Sequence, residues 1–302
     1  MEMKTIVKAT LLILLGSGGL LAQFNAQQAF SYLEKQVAFG PRNPGSKGHK
    51  ACLKFLQEEM GKWADRVDLQ SFTYYDRFNR KTLHLTNVIA RFNPRAQRRI
   101  FFAAHWDTRP FADRDVEKNQ NTPIPGANDG ASGVAVLLEM ARAFKTQPPS
   151  IGVDLILFDG EDYGKEGNLE NYFLGSKYFA KHYAKDGYKH EFGILIDMIG
   201  DAQLTIKKEG YSVQSLPWLV DKVWNIAHQM GFYEFSDQFL GYVEDDHVPL
   251  LKAGIPCIDI IDFEYPDRSN RYWHTLEDTP DKCSPQSLYI VGSVLLEVAY
   301  EE

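Results

Sequence analysis

The chain has 302 residues, 44% hydrophobic and 24% charged, a composition that excludes low-complexity or disordered character and allows one large domain with a substantial core or two small ones. Its 33 basic residues are outnumbered by 40 acidic ones for a net charge of -7, and no Lys/Arg stripe with interleaved aromatics occurs. Nucleic acid is therefore not an expected partner.

The first stretch in the chain is unlike the rest. Lys4 and Lys8 lead into the apolar run Ala9 to Leu15, followed by Gly16-Ser17-Gly18-Gly19 and Leu20-Leu21-Ala22. This order of charged, apolar and small residues reads as a secretory signal peptide over 1–22. The run is short for a bilayer span, and no Cys follows it, so no lipid anchor is indicated. Cleavage after Ala22 would leave Gln23 at the mature N-terminus, a single domain over 23–302, and an exported protein, periplasmic or secreted, with membrane retention by an uncleaved signal as the alternative. The three cysteines, Cys52, Cys257 and Cys283, have no metal-binding spacing. Their odd number leaves at least one thiol unpaired, and Cys257, in an apolar run, is expected to be a buried small hydrophobe.

From about Ala26 to Val37 the residues Phe30, Tyr32, Leu33 and Val37 recur with helical spacing, and Phe39-Gly40-Pro41-Arg42-Asn43-Pro44-Gly45-Ser46 stops them. Ser46 is placed to cap a second helix whose apolar face is Ala51, Leu53, Phe55, Leu56 and Met60. Val67 to Tyr75 and Leu83 to Arg91 read as two strands with no helix between them, hence an antiparallel edge. Arg99 to Ala104 is a strand ending in His105-Trp106-Asp107. A long polar loop then reaches Pro125-Gly126-Ala127-Asn128-Asp129-Gly130-Ala131-Ser132-Gly133 and a helix through Phe144. Loops of that length inside a domain tend to be functional.

Val153 to Phe158 reads as a strand buried on both faces that runs without a break into Asp159-Gly160-Glu161-Asp162. An irregular stretch, Tyr163 to Tyr172, precedes a helix from about Gly175 to Ala184. Gly193 to Ile196 is a strand ending in Asp197. A helix over Pro217 to Met230, the run Glu244-Asp245-Asp246-His247 before a short helix, a strand over Gly254 to Ile261 leading to Trp273-His274, and a helix from Pro285 to Tyr300 complete the chain. Strands alternating with helices predict a single α/β domain around a mostly parallel, twisted, mixed sheet with helices on both faces.

In open α/β sheets ligands sit beyond the carboxyl ends of the strands. Here those ends carry His105 and Asp107, Glu161 and Asp162, Asp197, and, beyond the last strand, His274; Asp129 precedes a helix. Each alone has an ordinary explanation: a hydrogen-bonded structural histidine, a helix cap or a solvated turn. Together, several close carboxylates repel unless a cation sits among them. Imidazole and carboxylate without thiolate favour zinc among the common catalytic metals.

His105-x-Asp107, Ala127 to Gly133, Asp159-Gly160-Glu161-Asp162, Leu174-Gly175-Ser176, Asp197 and His274 resemble, in order, the motif series of the exported zinc-dependent aminopeptidase clan. The likeness covers about Ala38 to the C-terminus. Glu244-Asp245-Asp246-His247-Val248-Pro249-Leu250 followed by Gly254-Ile255-Pro256, together with Trp273-His274-Thr275 and the Phe39 to Ser46 loop, is similar to one branch of it, the glutaminyl-peptide cyclotransferases. That resemblance implies one zinc on Asp129, Asp162 and His274, with Glu161, Asp197 and Asp245 as catalytic acids. It also implies Trp273 as a wall of the substrate pocket and peptides with an N-terminal Gln as substrates. Mammalian-type cyclases carry a Trp in the loop after the acidic pair; Tyr163 to Leu174 has none, which leaves Tyr172 or Phe173 to line that side. His105 and Asp107 stand as a remnant of a second metal site. All two-zinc ligand positions hold competent side chains, so a second zinc, and with it an aminopeptidase activity, is the alternative. A binding ectodomain without catalysis is a third reading.

Overall fold

The computed structural model describes residues 23–165, 167–185 and 187–302; the expected signal segment, 1–22, lies outside them. Among the described residues eight α-helices and eight strands follow in the order α1 (Ala26–Ala38), α2 (Lys47–Trp63), β1 (Arg66–Asp76), β2 (Lys81–Phe92), β3 (Arg99–His105), α3 (Ala131–Thr146), β4 (Gly152–Phe158), α4 (Leu174–His182), β5 (Gly193–Asp197), β6 (Ile206–Glu209), α5 (Gly210–Ser215), α6 (Pro217–Gln229), β7 (Phe235–Gly241), α7 (His247–Lys252), β8 (Cys257–Ile261) and α8 (Pro285–Glu301). Six strands form one sheet in the order β1-β2-β4-β3-β5-β8. The two edge strands are antiparallel, as their closeness in sequence requires, and β4, β3, β5 and β8 run parallel. The long edge hairpin, the central parallel strands and the helices on both faces agree with the expected architecture.

Alternation along the strands builds two cores. Phe102 and Ala104 of β3 face the larger cluster under α1, α3 and α8, while Phe101 and Ala103 face the smaller one with Phe179 of α4 and Leu250 of α7. Helix α3 comes close to the sheet because Gly133 lacks a side chain: a Cβ there would stand 2.7 Å from the Ile196 carbonyl oxygen. Ser46 caps α2 by accepting from the His49 amide. The three cysteines are free and buried. Among the described residues, no helix is long and apolar enough to cross a membrane.

A second, two-stranded parallel sheet, β6-β7, escaped the sequence reading. Ile206-Lys207-Lys208-Glu209 has one apolar residue and no alternation to reveal it; Lys207 is buried by bonding Glu264 (2.5 Å). Nearby, the fully buried Asp262 accepts from the Thr205 and Glu264 amides at 2.8 and 3.2 Å. Burial raises its pKa to about 8, against the opposing pull of the Thr205 amide. A carboxyl whose folded value lies above its unfolded one favours the fold below the unfolded value and loses that contribution as pH rises. Replacing Asp262 with Asn removes the titration, so the stability of the variant relative to the parent is expected to climb between pH 5 and 8, with a slope approaching ~1.4 kcal/mol per pH unit. Urea unfolding of both proteins across that window measures it, and parallel curves would rule it out.

Candidate active site

The parallel strands end at one edge of the sheet because their register is fixed. His105 pairs with Phe158 across β3 and β4, and Asp197 with Ile261 across β5 and β8. The loops leaving these ends surround a cavity of about 340 Å³ lined by Asp129, Glu161, Asp162, Asp197, Asp245, Tyr172, Trp273 and His274, among others.

Two metal-competent trios share Asp129 at its floor. One is Asp129, Asp162 and His274; the other is His105, Asp129 and Asp197. His274 Nε2 lies 3.5 Å from both Asp129 Oδ2 and Asp162 Oδ1, and His105 Nε2 lies 3.3 Å from Asp129 Oδ1 and 3.1 Å from Asp197 Oδ1. The donors are imidazole and carboxylate without thiolate, and Asp162 Oδ2 is buried with no hydrogen-bond partner, an arrangement that fits a divalent ion of the zinc type. His274 holds φ +57°, a left-handed conformation uncommon for a residue with a Cβ and of a kind that clusters at functional sites.

Asp107 joins neither trio. Its carboxylate accepts from the backbone amides of Glu161 (3.0 Å) and Asp162 (3.4 Å), holding the turn after β4. Asp159, in the same acidic run, points away to His49 and to the Thr86 amide. Glu161 is thus pinned by its own amide, and its carbonyl accepts from Phe173 N at 2.8 Å, while its side chain faces the cavity. Burial, then the charge of Asp162, hold its carboxyl well above the ordinary glutamate value. Asp197 is raised by burial, and Asp245 is raised well above its usual range by burial and the charges of Asp197 and Asp246. Asp245 Oδ2 is buried without a partner. Trp273 stacks on His274 (centroids 3.8 Å apart) and meets Phe263 edge-on, which fixes one wall. Tyr172 stands on the other side under the Arg109 guanidinium, 5.3 Å from its ring centroid.

Several supporting residues gave no signal in the sequence. Arg109 is fully buried; its Nη1 donates to Asp162 Oδ1 (2.7 Å), and its Nε and Nη2 fork onto Asp113 (2.8 and 2.5 Å). Asp113 lies 3.5 Å from His274 Nδ1. Asp278 accepts from the amides of Asn128 and Asp129 and from the Tyr265 hydroxyl. Behind Asp245, a buried third trio with Asp259 and His247 closes against Glu209, 3.2 Å from His247 Nε2. Arg109 and Asp113 stand two and six residues after Asp107, in a loop whose sequence has no periodicity to aim them.

Such a fold, with buried metal-competent trios and a raised glutamate at the carboxyl edge of a mixed sheet, defines a metal-dependent enzyme of the exopeptidase-like α/β class. Residues 87–299 match Peptidase family M28, and the chain belongs to that family. Among solved structures it is similar to a glutaminyl cyclase from Tannerella forsythia, at 39% identity and TM-score 0.88 over 93% of this chain and 99% of that one. It is also similar to a Zn-dependent exopeptidase from Parabacteroides distasonis, at 35% identity and TM-score 0.88 over 93% and 100%. A glutaminyl-peptide cyclotransferase-like protein of Bos taurus is 26% identical over 295 residues, covering 84% of this chain and 70% of the relative.

Proposed function

We propose that this protein is a zinc-dependent glutaminyl-peptide cyclotransferase that converts the N-terminal Gln of peptides and proteins to pyroglutamate with release of ammonia. The observation that carries it is the 39% identity to a glutaminyl cyclase over 93% of this chain and 99% of that one. Asp129, Asp162 and His274 would hold zinc, which when bound would supply Lewis-acid polarisation of the γ-carboxamide oxygen. The unpartnered Asp162 Oδ2 and the thiolate-free donor set support that ligand assignment.

The substrate's own α-amine is the nucleophile, already tethered to its target carbon, so positioning replaces the activation of water. Trp273 and Tyr172 flank the Gln side chain. Glu161 takes the proton released as the amine nitrogen bonds to the amide carbon and returns it to the nitrogen that leaves as ammonia; a carboxyl raised by burial suits both transfers. Asp197 and Asp245 share protons beside it and hold the amine in place.

The His105/Asp129/Asp197 trio supports the second reading, a two-zinc aminopeptidase. Mass spectrometry of a Gln-initiated peptide after incubation with the protein separates the two, with metal content measured on the same sample. Loss of ammonia alone is expected; loss of the whole N-terminal residue would establish the peptidase.

The signal segment and export are part of the same proposal, and they make Gln23 a substrate. The Gln23 carbonyl bonds Arg142 and Phe24 is buried in the core. Arg142 lies 13 residues beyond Asp129, about 20 Å along α3. Cyclisation of Gln23 is thus expected from another copy rather than within one molecule. Intact mass of the exported chain should show pyroglutamate, and the exported Glu161→Gln chain, which lacks the proton carrier, should keep Gln23; a free Gln23 amine in active preparations would end the idea.

A further inference from the structure

Beside the catalytic cavity lies a second one of about 300 Å³ between α4 and α7, lined by Leu169, Phe173, Lys177, Ala180, Glu244, Pro249 and Lys252. Leu169, Phe173 and Glu244 line both, so the two form one continuous depression. The shared wall is a built feature. Phe173 sits in the left-handed region (φ +57°) at the start of α4, its amide bonded to the Glu161 carbonyl, and the next amide, Leu174, bonded to the Gly160 carbonyl. The Lys177 ammonium is spent on the loop itself, donating to the carbonyls of Leu169, Glu170 and Tyr172. The base of the wall is thereby tied to the backbone of the proposed proton carrier.

The charge changes across that wall. The catalytic cavity is lined by six acids, Asp129, Glu161, Asp162, Asp197, Glu244 and Asp245, against two arginines, Arg109 and Arg114. The second cavity has two lysines against Glu244 alone. Glu244 is engaged by the Tyr211 hydroxyl at 2.7 Å, and Lys252, its side chain 73% exposed, comes only within 3.9 Å of it. Lys252 is therefore a cation offered to solvent above an apolar floor of Leu169, Phe173, Ala180 and Pro249.

We infer that this second cavity is a subsite for the substrate residues after the N-terminal Gln, taking an apolar side chain at position two and an acidic one at position three. The inference rests on the cyclase reading. Once Gln fills the catalytic cavity, the following chain must cross the rim, and Leu169, Phe173 and Glu244, which line both cavities, lead it toward Pro249 and Lys252.

The test compares kcat/KM for Gln-amide, Gln-Gly-Gly, Gln-Leu-Gly, Gln-Leu-Glu and Gln-Leu-Lys amides with the zinc-loaded protein and its Lys252→Glu variant. Leu over Gly at position two is expected to gain on the order of ten-fold. Glu over Lys at position three is expected to gain roughly three- to five-fold, fading at about 1 M salt. Lys252→Glu should reverse the position-three preference and leave Gln-amide unchanged. Equal rates for all peptides, or a charge preference that survives Lys252→Glu, would overturn the subsite while leaving the cyclase intact. No turnover of Gln-amide by either protein would remove the cyclase reading and the subsite together.

Discussion

Glu161→Gln is expected to lower kcat/KM for a Gln-initiated peptide by about three orders of magnitude, within the usual range for removing a positioned proton carrier, while the protein keeps its zinc. The two outcomes separate because Glu161 stands outside both metal-competent trios. The amide retains the shape of the side chain and loses the ability to accept and return a proton. Its backbone anchors, to Asp107 and Phe173, do not involve the substituted atoms.

Stability should move in the opposite sense to activity. Burial and the charge of Asp162 raise the Glu161 carboxyl, so the folded state disfavours its ionised form. That penalty is absent below the unfolded glutamate value and is imposed as pH rises above it. A neutral amide escapes it, so near neutral pH the variant should melt at or above the temperature of the parent. A stable, zinc-bound, inactive variant is the pattern of a residue whose environment serves chemistry at the expense of folding. A variant that retains more than about a tenth of parental kcat/KM would place the proton transfer elsewhere, with Asp245 the next candidate.

The sheet and the edge that carries the chemistry were legible because parallel strands are buried on both faces. Runs such as Val153 to Phe158 cannot be mistaken for amphipathic helices, and a polar residue that ends such a run lies at the edge of the sheet by geometry alone. What could not be read was which way a side chain turns at that edge. Asp107, grouped with His105 from spacing, turns under the backbone of Glu161 and Asp162; Asp159, two residues before Glu161, turns into the fold against His49. Side-chain direction at the end of a strand depends on the next turn, and here Gly160, at φ +73°, sets it. The strand pair β6-β7 was illegible for a different reason: its buried Lys207 is made tolerable by Glu264, 57 residues away, and a pairing over that distance leaves no local pattern. Asp259 shows both effects. Its position in β8 was readable, but its approach to Asp245 and His247 depends on two segments meeting in the fold.

Arg109 is the costliest of these omissions and carries the second large prediction. One buried guanidinium fixes two of the three proposed zinc ligands. It holds Asp162 directly, and it holds His274 through Asp113, whose carboxyl is depressed by Arg109 and His274 despite burial. It also lies on the Tyr172 ring and so ties the ligand set to the pocket wall. Arg109→Leu removes the positive charge from two buried or half-buried carboxylates and leaves them facing each other across His274. The destabilisation expected for stripping one partner from such a cluster is about 3–5 kcal/mol, and loss of the group that orients metal ligands is expected to weaken zinc by about 10- to 100-fold. Arg109→Lys restores charge without the planar fork, which cannot then reach Asp162 and Asp113 together, so zinc affinity should recover only in part. The measurements are urea unfolding of the metal-free proteins and zinc titration with a competing chelator. They tell a structural role from a metal-positioning one: if Arg109→Lys regains stability but not zinc affinity, the fork itself positions the ligands. If both variants bind zinc like the parent, the ion is held without Arg109, and the link from Asp113 to His274 has no bearing on the metal.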